Sequence, residues 1–358
     1  MENCEVLSEQ IGSFSTFKET LIREAYRTNT PISVSFELTP RCNLCCKMCY
    51  VHLEDDQIHK PTLTTHQWIK IIDEAFDCGL LFATLTGGEA LLHPGFEEIY
   101  NHLFDLGIFV TIKTNGVLLT EKIIELFTRR KPYCVTISVY GGNEDSYEAV
   151  TGKRVFSIVD KNIQNAKRAG IPIKLALTTS KYLDPFFDQT LSYIAKTGLH
   201  FGMSTFLIDA RPETGRHLDE YGLSTEKMVE AIKAKRKSEL TITEERRPEP
   251  LIIDELQSVP LKGLRCSAGR TGCSIEWDGI MRACMGVNGG ESYPLEVGFQ
   301  SSWKILNEAV RNASFPQECA SCNIRSKCSY CPSQHKSSLN QLAVDPEICE
   351  NLRILADA

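Results

Sequence analysis

The chain has 358 residues, 42% of them hydrophobic and 24% charged, with a formal net charge of −7. That size suits one large domain plus a smaller one, and the balance is that of a globular protein rather than a disordered one. The negative charge argues against a nucleic-acid surface, which needs clustered Lys and Arg. No apolar run of about 18 residues is present to span a membrane. Met1–Glu5 open no basic and apolar leader, so the chain is expected in the cytosol.

Residues 1–30 form a polar N-terminal extension, expected to hold a helix and the lead-in to a strand. From about 32 to 205, short β-rich runs alternate with helical patterns, which points to βα units and a parallel sheet. Strands are expected at Ser33–Thr39, Leu81–Thr86, Ile108–Thr114, Val135–Tyr140, Ile173–Thr178 and Phe201–Phe206. A helix is expected at Thr65–Cys78, where Trp68, Ile71, Ile72, Ala75 and Phe76 recur at helical spacing and Gly79 stops it. Six units fall short of the eight that close a full barrel. Ser33, Ser35, Glu37 and Thr39 share one face of the first strand, and Thr136, Ser138 and Tyr140 share one face of the fourth. Polar residues on one face suggest an open, partial barrel with a wet or ligand-filled lumen; a half-exposed antiparallel sheet is the alternative. The predicted class is therefore α/β, a partial (β/α)6 TIM-like barrel over residues 31–240, with a helix near Ser224–Arg236. Residues 241–261, within a charge-dense stretch, read as a linker. From 262 to 358 apolar periodicity weakens, and this region is expected to be held by metal more than by a core.

Fifteen cysteines are too many for a reducing compartment unless metal or catalysis uses them. Apart from Cys4, Cys78 and Cys134 they form two clumps, Cys42–Cys49 and Cys266–Cys349. In the first, Cys42, Cys46 and Cys49 give C-x3-C-x2-C on the loop after the first strand, the end where barrels keep their active sites. Three thiolates on a cubane leave one iron open for a small molecule. A structural zinc site would want a fourth ligand, which Cys45, adjacent to Cys46, fits poorly.

This loop, followed after the second strand by Thr86-Gly87-Gly88-Glu89-Ala90, resembles the radical S-adenosylmethionine (SAM) superfamily. The resemblance implies a site-differentiated [4Fe–4S] cluster on Cys42, Cys46 and Cys49, with the backbone at Gly87, Gly88 and Glu89 against the SAM amino group. It further implies SAM contacts at Met48, Tyr50, Asn115 and Ser138, and at Arg154 toward the SAM carboxylate, where a plain surface Arg is the alternative. Met48 stands where the family often has an aromatic residue. The second clump, Cys266-x12-Gly279-x4-Cys284 followed by Cys319-x2-Cys322-x5-Cys328, resembles the SPASM extension, which implies two auxiliary [4Fe–4S] clusters. By that analogy Cys266, Cys273, Cys284 and Cys331 serve one and Cys319, Cys322, Cys328 and Cys349 the other, although two residues rather than three separate Cys328 from Cys331. Taken alone, the paired cysteines also suit a zinc ribbon.

The resemblance implies reductive cleavage of SAM to a 5′-deoxyadenosyl radical that abstracts hydrogen from a substrate, with flavodoxin or ferredoxin as electron donor. The substrate it implies is a ribosomally made peptide receiving a thioether or carbon–carbon crosslink. The alternatives are dehydrogenation or epimerisation of a sugar or cyclitol, or sulfatase maturation, against which Met285 stands where an Asp is expected after Cys284. Thirty residues before the barrel are too few for a leader-binding domain. Asp209, Arg211 and Glu37 are candidate lumen residues for proton transfer or substrate anchoring, with structural hydrogen bonding as the alternative for each.

Overall fold

The architecture comes from a computed structural model that describes residues 14–51, 53–207, 218–239, 264, 266–325, 328 and 330–357. Asp209, Arg211 and the expected linker 241–261 lie outside the described residues. A first helix, α1 (Phe14–Thr28), leads into six strands: β1 (Ser33–Glu37), β2 (Phe82–Thr86), β3 (Phe109–Thr114), β4 (Cys134–Val139), β5 (Ile173–Thr178) and β6 (Phe201–Ser204). Each pairs in parallel with the next, so the antiparallel alternative does not hold. The crossovers carry α2 (Thr65–Asp77), α3 (Phe96–Asp105), α4 (Glu121–Arg129), α5 (Glu144–Thr151), α6 (Phe156–Arg168) and α7 (Phe187–Thr197), and α8 (Thr225–Glu239) follows β6.

Local chemistry sets these boundaries. Thr64 opens α2 with a capping box, its hydroxyl accepting from Gln67 N–H while the Gln67 side chain accepts from Thr64 N–H. Trp68, Ile71, Ile72 and Ala75 then bury the inner stripe of that helix. Along the strands the period-two pattern separates two faces. Val34, Phe36, Val110, Ile112, Val135, Ile137, Val139, Leu175 and Leu177 are buried under the helices. Ser35, Thr84, Thr111, Thr136 and Ser138 occupy the opposite, lumen face and are only partly buried.

The sheet does not stop at six strands. Its order is β6-β5-β4-β3-β2-β1-β7-β8, where β7 (Gly272–Ile275) pairs in parallel with β1 and β8 (Met281–Arg282) returns antiparallel. A short α9 (Pro294–Val297) precedes α10 (Phe299–Asn312), and α11 (Pro346–Asp357) ends the chain. Metal is expected to hold residues 262–358 more than a core does; the described part of this region also contributes to a core. Phe299, Trp303, Leu306 and Val310 lie on one stripe of α10 and join Ile275 and Met281 in the same apolar core as the barrel. Trp303 Nε1–H donates to Asn29 O at 2.7 Å, tying α10 to the end of α1. Among the described residues no helix is long and apolar enough to cross a membrane.

Leu306 is fully buried, so Leu306→Ala is expected to cost about 2–5 kcal/mol in thermal or urea unfolding. Ile305, 46% exposed beside it, is expected to tolerate Ala within about 0.5 kcal/mol. Equal effects at the two positions would contradict the placement of α10.

Candidate active site

The segment after β1 crosses the carboxyl end of the barrel directly above the segment after β2. Leu38 N–H donates to Thr86 O, Gly88 N–H to Thr39 O at 2.8 Å, and Glu89 N–H to Arg41 O at 2.9 Å. This contact requires the glycines. A Cβ on Gly87 would lie 2.5 Å from Thr39 O, and one on Gly88 2.3 Å from Arg41 O; Gly87 also holds φ +143°. The expected reason for the pair was close approach to a ligand; the structure adds close approach to the cysteine loop itself.

Glu89 fixes the next strand end. Its buried carboxylate accepts from Leu91 N–H (3.1 Å), Thr114 Oγ1–H (3.0 Å) and Asn115 N–H (2.8 Å). Burial pushes its pKa up to about 7, against the pull of these three donors. Asn115 Nδ2 in turn donates to Asn43 Oδ1 at 2.7 Å and reaches Cys42 Sγ at 3.6 Å, while its Oδ1 accepts from Val117 N–H. The side chain expected to meet SAM is thus already engaged with the cysteine loop.

Among the loop cysteines, Cys46 is buried and Cys42 and Cys49 are half-buried. Burial raises the Cys42 thiol to about 12, with Leu44 N–H drawing it down, Glu89 and Cys49 raising it, and Asn115 drawing it down. Tyr140, just after β4, is raised by burial and then by Cys46 and Cys49, with Ser138 drawing it down. The three thiols therefore face one region, with N–H donors from Leu44 and Asn115 aimed at one of them. Donors of that kind stabilise a thiolate ligand, so the set fits an iron–sulfur cluster. Cys45 instead points outward, exposed, with Sγ 3.8 Å from Glu54 Oε1. The loop is also held from α5, where Thr151 O and Val150 O accept from Cys45 and Lys47 N–H. Among the described residues no three Cys, His, Asp or Glu side chains sit close enough to hold a single metal ion. A cubane, with each thiolate on its own iron, asks for wider spacing than a mononuclear zinc.

Other candidates fall elsewhere. Arg154 ion-pairs with Asp145 and Glu148 on α5, both at 2.7 Å and all exposed, which matches the surface alternative. Met48 is buried in the apolar core. Tyr50 Oη–H donates to Met285 Sδ at 3.3 Å, joining the first cysteine loop to the residue after Cys284. Glu37 is buried on the lumen side of β1.

The C-terminal cysteines divide into two groups by the charges they feel. Cys284, raised to about 11 by burial, is raised further by Cys266 and Cys331; Cys266 is likewise raised by burial and Cys331. Cys319 is raised by burial, then by Cys349, Cys328 and Cys322. Tyr330 is buried and packs against Phe315 and His335. Cys273 joins neither group. It sits in register with Val34, on the helix-covered face of the sheet, and burial is the one cause that raises its thiol. Family analogy groups it with Cys266; the strand's alternation places it on the helix-covered face. Tyr140 was missed as a site residue, although the polar face of the fourth strand already contained it.

The Radical SAM superfamily pattern matches residues 36–185. The antilisterial bacteriocin subtilosin biosynthesis protein AlbA of Bacillus subtilis is 31% identical over 150 residues, 41% of this chain and 33% of AlbA. The mycofactocin maturase MftC of Mycobacterium tuberculosis is 27% identical over 315 residues, 84% of this chain and 78% of MftC. The chain spans less than half the length of three of the curated relatives it matches. In fold it is similar to Streptococcus suis SuiB bound to S-adenosylmethionine, with TM-score 0.66 and 17% identity over 89% of this chain and 77% of SuiB.

Glu89 has a pH signature. Burial favours its protonated form, so its contribution to stability is complete below the ordinary value of 4.5 and is lost as pH rises through about 7. In urea unfolding, the stability of the native protein relative to Glu89→Gln is expected to fall across that window and level off above it. A difference constant with pH would contradict a buried, late-titrating carboxyl.

Proposed function

We propose that the chain, which matches the Radical SAM superfamily pattern over residues 36–185, is a radical SAM enzyme that uses SAM and a [4Fe–4S] cluster to modify a peptide. The observation that carries this reading is the convergence of Cys42, Cys46 and Cys49 above the Gly87-Gly88 contact, with Cys45 turned away. These three thiolates hold the first cluster and leave one iron for the SAM amino and carboxylate groups. When bound, cluster and SAM would supply the chemistry: one electron from the reduced cluster would split the C5′–S bond into methionine and a 5′-deoxyadenosyl radical able to take a hydrogen atom from an unactivated C–H bond. The protein's own part is geometric. Leu44 and Asn115 donate toward Cys42, Glu89 locks the β2 and β3 ends together, and the barrel wall shields the reacting atoms from water.

In the C-terminal region, Cys319, Cys322, Cys328 and Cys349 would hold one auxiliary [4Fe–4S] cluster, and Cys266, Cys284 and Cys331 would hold another in which one iron lacks a cysteine. The charge groupings described above support this partition, and the position of Cys273 leaves it out. The named activities of MftC and AlbA, and the fold shared with SuiB, support a precursor peptide as substrate and a thioether or carbon–carbon crosslink as product. A small reduced carrier such as flavodoxin or ferredoxin supplies the electron.

Anaerobically reconstituted protein is expected to carry about twelve irons and to form 5′-deoxyadenosine with dithionite. Cys46→Ala is expected to abolish that product and lose about four irons, whereas Cys45→Ala keeps both. Undiminished 5′-deoxyadenosine from Cys46→Ala would overturn the assignment.

A further inference from the structure

The lumen wall carries two lysines for which the chemistry above gives no use. Lys113 lies on the polar face of β3, two residues before Asn115. The strand register sets Lys113 beside Thr136 on β4, and Thr136 beside Lys174 on β5. The two lysines therefore occupy one row across three neighbouring strands, their Cα atoms about 10 Å apart at the usual strand spacing. Extending the same row the other way, Glu37 pairs with Thr86, whose neighbour one step beyond Leu85↔Ile112 is Lys113. The row thus runs from one carboxylate on β1 to two ammonium groups on β3 and β5.

Lys113 is solvent-exposed on the lumen face of β3, with protein atoms crowded around it. Burial lowers its ammonium pKa, and no charged neighbour contributes to the shift. Among the described residues it has no ion pair or hydrogen bond. Lys174 is also exposed, and its Cε lies beside Gly202 on β6. An ammonium group crowded by protein atoms and without an ion-pair partner offers an incoming anion a charge-assisted hydrogen bond. The chain's net charge of −7 repels extended polyanions, so the anion suited to this position is small and local.

We infer that Lys113, assisted by Lys174, anchors a carboxylate of the substrate inside the barrel, making an acidic peptide segment the substrate class. This rests on the peptide-modification reading. The carboxylate comes either from an Asp or Glu side chain or from a chain terminus. Lys113 sits below the strand ends that carry the SAM contacts, so an anchored carboxylate holds the neighbouring C–H bonds on the lumen side of SAM. Lys113 is a substrate-anchoring residue and takes no proton in the reaction.

Lysine footprinting on SAM-loaded holoenzyme tests the inference without turnover. Limiting acetic anhydride, read by peptide mass spectrometry, reports the reactivity of each lysine. N-acetylglutamate α-methylamide against its glutamine counterpart probes a side-chain carboxylate, and N-acetylalanine against its amide probes a terminus. At least one acid is expected to protect Lys113 about tenfold more than its amide, as a charge-assisted hydrogen bond allows. In Lys113→Gln the acid's protection of Lys174 is expected to weaken, and Lys113→Arg is expected to restore it. Equal protection by acid and amide in both pairs would overturn the inference, as would full protection by SAM alone, which would make the anion SAM's own. Acid-selective protection in a protein that forms no 5′-deoxyadenosine would instead leave the anchor standing and remove the radical SAM reading.

Discussion

The site depends on one backbone contact, the crossing of the cysteine loop over Gly87 and Gly88. Two N–H groups from the second segment satisfy carbonyls of the first, at separations a side chain on either glycine would forbid. A loop bearing three thiols cannot hold its own shape, because Cys–x3–Cys–x2–Cys includes no regular element. It borrows rigidity from the end of β2 below, from Thr151 and Val150 of α5 at the side, and from Asn115 at the end of β3. Glu89 joins β2 to β3 with a carboxylate that burial disfavours when charged, so part of the cost of organising the loop is held in that one group.

A second constraint comes from strand alternation. Branched apolar residues on the outer face pack the helices, while Ser, Thr and Lys on the inner face keep the lumen from filling as an ordinary barrel core would. The same alternation explains how the C-terminal region attaches. β7 adds to the free edge of β1, which both covers an exposed strand edge and sets the segment carrying Cys266 and Cys284 beside the first cysteine loop. The Tyr50–Met285 contact spans that junction.

Much of this was legible in the sequence because period and spacing are local signals. All six parallel strands lie within their expected segments apart from Cys134, which starts β4 one residue early, and the cysteine loop sits after the first of them. What was not legible depends on partners distant in sequence. β7 and β8 are four and two residues long, too short to show a period, and exist because β1 offers an edge. Cys273 is a ligand candidate by family analogy, and its register with Val34 places it on the buried face of β7. Arg154 leaves two readings open in the sequence, a SAM carboxylate or plain surface, because its partners Asp145 and Glu148 are set beside it only by the fold of α5. Lys113 reads as an ordinary charged residue, since nothing local says that a lysine in a strand faces the lumen.

The measurement closest to the central claim is electron paramagnetic resonance with nuclear double resonance on the reduced protein, in a variant lacking the auxiliary ligands Cys284 and Cys322. Adding SAM labelled with 15N at its amino group should shift the cluster signal and give a 15N hyperfine coupling, because one iron has no protein sulfur and takes the amino acid end of SAM. A signal unchanged by SAM, with no nitrogen coupling, would mean that four protein ligands close the cluster, and the account would fail.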